Sequence, residues 1–195
     1  MTKKSIFRTV ITSILLLITC LVFITPVYGT DIRDQQQDTK WLHEVRLGVL
    51  AHDVDNMWSG SRKESGSDFN GELIFDRMNC NILSGTVRPN LGASINSSGD
   101  TSKLYGGLIW ESKIRSSMFL NMGLGAAIHN GESLSKSNDM KSLGSSLLFR
   151  VPFEFGFEID KHHRISIMFD HISNGYIKEP NEGLDTLGIR YGFRF

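Results

Sequence analysis

Along the last ten residues, 186–195, apolar positions alternate with polar or glycine positions without a break. Leu187, Ile189, Tyr191, Phe193 and Phe195 would share one face of a strand, with Gly188, Arg190, Gly192 and Arg194 on the other. Charge opposite an aromatic face fits a strand with lipid on one side and a polar lumen on the other. The same two-residue period recurs upstream. In 41–51, Trp41, Val45, Leu47, Val49 and Ala51 oppose Glu44, Arg46 and Gly48. In 147–159, Leu147, Phe149, Val151, Phe153, Phe155, Phe157 and Ile159 oppose Arg150, Glu154, Gly156 and Glu158. Weaker or shorter segments at 69–75, 86–96, 104–110, 118–128 and 164–173 bring the count to eight, the smallest even number that closes a membrane barrel. Pro89 cannot donate to a ladder and weakens the third segment locally.

The expected fold is therefore all-β: an eight-stranded antiparallel transmembrane β-barrel of the bacterial outer membrane. The closing aromatic resembles the C-terminal signature of such barrels. Lys3, Lys4 and Arg8 precede the apolar run 14–24, which is too short for a spanning helix, and Val27-Tyr28-Gly29 offers a cleavage site. Residues 1–29 are thus expected to be a cleaved signal peptide, and 30–195 a single barrel. Cys20 lies inside the apolar run, but Ile18-Thr19 is a poor approach sequence for a lipid anchor.

The full chain carries 21 basic and 21 acidic residues. Cleavage would remove three positive charges and no acids, leaving a slightly acidic chain without a basic patch and so no nucleic-acid partner. Cys80 alone would remain, so no internal disulfide can form. No phosphate-cradling glycine loop stands out and no cofactor is expected. His162-His163 lacks the further ligands that a metal site needs. Nothing in the pattern specifies an oligomeric state. Arg46, Arg88, Arg150, Glu154, Glu158, Arg190 and Arg194 are expected to fill a narrow lumen as an ion-pair network rather than line a pore.

Connections after the odd-numbered segments (about 53–68, 97–102, 129–142 and 174–184) are mostly longer than those after the even-numbered ones (about 77–84, 111–116 and 160–163). Long loops are external in bacterial barrels, so the seventh segment should end at the outer leaflet. Its apolar parity, Ile165, Ile167 and Phe169, continues into His171 and Ser173, which would face lipid as neighbours. Polar groups directed at lipid need a reason. Asp185 shares the outward parity of Leu187 on the adjoining strand and could orient His171. Nucleophile, base and orienting acid then meet at one place.

His171-Ile172-Ser173-Asn174-Gly175, followed by 178–185, resembles the active-site region of the PagL family of lipid A 3-O-deacylases. That resemblance implies an eight-stranded outer-membrane barrel that removes the ester-linked acyl chain at the 3-position of lipid A. It implies Ser173 as nucleophile, His171 as base and Asp185 as acid, with Asn174, Gly175 and Asn181 serving substrate or oxyanion. The family usually has Glu where this chain has Asp185, one methylene shorter. Glu182 is the alternative acid. Lipid A or lipopolysaccharide of the outer leaflet would be the partner. Read from the residues alone, the aromatics from Phe149 to Phe157 are expected to form a lipid-facing surface, with Phe149 or Phe153 bordering an acyl groove as the alternative. Two other readings are a non-catalytic barrel acting through its loops and an acyltransferase barrel using the same triad.

Overall fold

The structure, a computed structural model, describes residues 41–195. The expected signal peptide lies outside the described residues. The strands are β1 (Leu42–Ala51), β2 (Ser67–Phe75), β3 (Asn81–Ile82), β4 (Gly85–Asn96), β5 (Lys103–Lys113), β6 (Met118–His129), β7 (Leu147–Glu158), β8 (His163–Ser173) and β9 (Leu184–Arg194). The eight long strands pair antiparallel all the way round, β1 with β9 and β2 with β4, so the sheet closes on itself. Closure removes the edges that would otherwise leave backbone donors and acceptors unpaired in lipid. The two-residue β3 only folds back on the start of β4.

The alternation holds in every strand where it was legible, but the molecule is inside-out compared with a water-soluble protein. Arg46, Glu72, Arg150, Glu154, Arg164, Asp170 and Arg190 are buried, whereas Leu47, Val49, Phe69, Ile95, Ile128, Ile167 and Ile189 are exposed. Lumenal charges are tied to one another. Arg46 donates to Glu44 (2.8 Å) and Glu154 (2.5 Å), and Arg190 to Glu154 (2.8 Å) and Glu72 (2.6 Å). Arg150 and Lys103 both reach Asp170, at 2.8 and 2.9 Å. Tyr105 and Phe119 point inward and lie under the guanidinium groups of Arg150 and Arg164. The expected lumenal network is present, but Arg88 pairs with Asp76 at its margin instead.

At the long-loop end the lumen turns apolar. Tyr105, Ala127, Leu148, Ile172 and Leu184 pack with Leu143, which comes from the β6–β7 loop. This plug lies behind the long-loop ends of β8 and β9.

Two departures from expectation have local causes. Segment 104–110 extends to Lys113, because Glu111 turns inward to bind Arg164 (2.6 Å) and its polarity serves the lumen instead of ending the strand. Pro89 does not interrupt β4: the ladder with β2 ends at Ile74 and Asn90, so no donor is required of it on that side. Pro152 is accommodated in β7 by Gly123, where a Cβ would lie 2.7 Å from the proline ring.

Candidate active site

The long-loop ends of β8 and β9 bring three expected residues together. His171 is the direct cross-strand partner of Asp185, and Ser173 lies two residues further along β8 on the same face. His171 Nδ1 is 2.6 Å from Asp185 Oδ1, and His171 Nε2 is 2.9 Å from Ser173 Oγ. A carboxylate can only accept, so the Nδ1 proton belongs to the Asp185 bond. Nε2 is then left as an acceptor for the Ser173 hydroxyl. This is the bonding order of a serine nucleophile, a base and an orienting acid. Asp185 spans the distance despite its short side chain, because directly opposed residues on neighbouring strands are close.

The expected exposure of these groups to lipid is not what the structure has. The parity is outward, yet His171, Ser173 and Asp185 are 4%, 3% and 0% exposed. The β1–β2 loop folds down over the outside of the barrel and covers them. Its Trp58 ring meets His171 edge-on at 5.0 Å between centroids, and also meets Phe169 and Phe153. The N–H of Ser59 donates to Asp185 Oδ2 at 2.7 Å, and the N–H of Val54 to the Asp185 carbonyl at 3.0 Å. Both carboxylate oxygens of Asp185 are thus engaged, one by the base and one by the loop.

Lys141, buried in the β6–β7 loop, holds this cover in place. Its Nζ donates to the carbonyls of Ser59 (3.2 Å) and Ser61 (2.8 Å) and pairs with Asp53 (3.1 Å). Sequence reasoning missed Trp58, Ser59 and Lys141. A tryptophan in a mostly polar loop was the available signal.

The β8–β9 loop closes the other side. Asn174 donates its side-chain amide toward the carbonyls of Leu143, Lys178 and Pro180, and its backbone N–H goes to Asn181 Oδ1 (2.9 Å). Asn174 therefore stitches two loops together beside Ser173. Gly175 takes a left-handed backbone in the turn that follows. Gly183, also left-handed, passes so close to His171 that a Cβ would lie 3.1 Å from its Cε1. Glu182, the alternative acid, points elsewhere: it binds Lys63 (2.6 Å) and the N–H of Ser142 (2.7 Å). Burial works to raise its pKa, but these partners outweigh that and lower it.

A second buried cluster ties the loop bases together. His52 lies between Asp68 (2.7 Å) and Glu64 (2.9 Å), and Glu64 also accepts from Thr101 and from the N–H of Lys141. Burial opposes a charged imidazole, but hydrogen bonds and charge from Asp68 and Glu64 prevail and push the His52 pKa up to about 9, above the ordinary 6.5. A raised folded-state pKa gives stabilisation that is complete below pH ~6.5 and lost as pH rises through about 9. Limited proteolysis of the β1–β2 loop is expected to stay slow at neutral pH and accelerate above pH ~9. His52→Gln should remove that pH step; an unchanged step would assign it to another group. Among the described residues no cluster of His, Cys, Asp or Glu is arranged to hold a metal ion.

Residues 83–194 match the family model described as lipid A 3-O-deacylase (PagL), which is more than half of the chain. The chain belongs to the PagL family. Its β4–β9 region, with both strands of the candidate site, falls inside the matched range. Lipid A deacylase PagL of Bordetella bronchiseptica is 32% identical over 77 residues, covering 40% of this chain and 41% of the relative. The match thus spans about two fifths of that relative's length. A crystal structure of the outer membrane enzyme PagL superposes with a TM-score of 0.58 at 20% identity, covering 76% of this chain and 97% of the other. The PagL-type barrel is therefore this chain's fold.

Proposed function

We propose that this chain is an outer-membrane esterase that hydrolyses the 3-O-linked acyl chain of lipid A. The observation that carries the proposal is the continuous hydrogen-bonded line from Asp185 through His171 to Ser173, in a chain of the PagL family. The long-loop end would face outward, which would put Ser173 at the level of the outer leaflet where lipid A lies.

In this reading Ser173 Oγ attacks the ester carbonyl carbon while His171 Nε2 takes its proton. Asp185 stabilises the resulting imidazolium. Collapse of the tetrahedral adduct breaks the bond to the sugar oxygen, and His171 returns the proton to that oxygen. Water, deprotonated by His171, then cleaves the acyl–Ser173 ester and releases the fatty acid. Asn181 uses its carbonyl oxygen to accept from Asn174. Its amide NH2 is the donor assigned to the developing oxyanion. Asn174 and Gly175 shape the turn that presents Asn181. No step requires a cofactor or a metal.

The test is mass spectrometry of lipid A from cells that express the chain, its Ser173→Ala form, or neither. Loss of one 3-hydroxyacyl chain with the parent alone supports the proposal. Unchanged lipid A in all three would overturn it in favour of a non-catalytic barrel, and a gain in mass would indicate acyl transfer.

A further inference from the structure

Trp58 is an unusual place for a large aromatic. It is 55% exposed, yet the residue that follows it is tied to the candidate site. Next to it, Ser59 donates to Asp185 and receives Lys141 on its carbonyl. The ring lies edge-on against His171, Phe169 and Phe153, which line the outer wall of β7 and β8 directly below Ser173. A half-exposed indole packed edge-on against three rings at the side of a nucleophile offers an apolar face.

We infer that Trp58 is a specificity-determining residue: its exposed indole face contacts the acyl chain of the scissile ester and makes cleavage depend on chain length. The inference rests on the esterase reading and extends it. An acyl group attached at Ser173 must leave along the barrel wall, because the lumen beneath is closed by Leu143, Leu148, Ile172 and Leu184. From Ser173 to Phe169 is four residues of strand, ~13 Å. Trp58 spans the His171–Phe169 part of that path. A short acyl group ends before it reaches the indole, and a long one must pass it. Each methylene that exchanges water for the ring adds to transition-state binding only in long-chain substrates.

The experiment compares kcat/KM of the parent, Trp58→Ala and Trp58→Phe on butyryl, octanoyl, dodecanoyl and myristoyl esters of one alcohol, in one detergent. Taking the variant-to-parent ratio at each length cancels partition into micelles. Trp58→Ala is expected to lose about tenfold more on dodecanoyl and myristoyl esters than on the butyryl ester. Trp58→Phe should recover most of that difference. Equal losses at all lengths would mean that Trp58 only supports the fold or His171, and would overturn the inference. So would ratios near one throughout. Heat-modifiable gel mobility identifies variants whose barrel has closed, and the phenylalanine form serves if the alanine form does not fold. If the parent cleaves no ester of any length, the esterase reading fails instead, which is a separate outcome.

Discussion

Ser173→Ala is expected to lower kcat for ester cleavage by a factor on the order of 10⁶ while leaving the barrel folded. Oγ is the only atom at the site that can attack the carbonyl with His171 already in position to take its proton, at 2.9 Å. Its removal leaves His171 and Asp185 paired with nothing to activate except water held less well. The substitution deletes one small hydroxyl at a strand end, and Ser173 supplies none of the lumenal ion pairs, so closure of the sheet should be unaffected. Single-turnover assays on lipid A in mixed micelles measure the rate, and heat-modifiable mobility checks the fold. Retention of more than about a hundredth of the parent rate would exclude Ser173 as nucleophile.

Asp185→Asn should be the next most damaging change, at ~10⁴-fold in kcat, and the covering loop explains why. The N–H of Ser59 requires an acceptor at the Oδ2 position. An asparagine would turn its carbonyl oxygen toward that N–H and present its NH2 to His171 Nδ1. Nδ1 must then accept, so the imidazole proton moves to Nε2 and points at Ser173 Oγ. The base is put in the wrong tautomer by a backbone contact from another loop. Imidazole nitrogen chemical shifts of His171 would show the proton on Nδ1 in the parent and on Nε2 in the variant. Parent-like shifts combined with lost activity would mean that Asp185 acts through charge alone.

The strands and their faces could be read from the chain because side-chain direction in a strand depends only on parity. Arg46, Glu154 and Arg190 fall inside, and Leu47, Phe157 and Ile189 outside, as the alternation requires. Parity also put His171, Ser173 and Asp185 on one face, and antiparallel pairing of β8 with β9 brings His171 level with Asp185. The end of β5 was missed because Glu111 and Lys113 look like turn residues until the lumen supplies their partners. The short β3 carries no alternation to detect.

Burial of the triad lay beyond this kind of reading. Trp58 and His171 are separated by more than a hundred residues, and so are Ser59 and Asp185. The loop that joins them to the site has no period from which its path could be inferred. Its course follows from Lys141, Asp53 and the His52 cluster, contacts that exist only after the barrel has closed and brought four loops to one end. Local alternation, a property of the backbone, was enough to specify a membrane barrel and the face on which Ser173, His171 and Asp185 meet. Whether that face meets lipid directly or lies under an indole depended on long-range packing of aperiodic loops, which has no local signature.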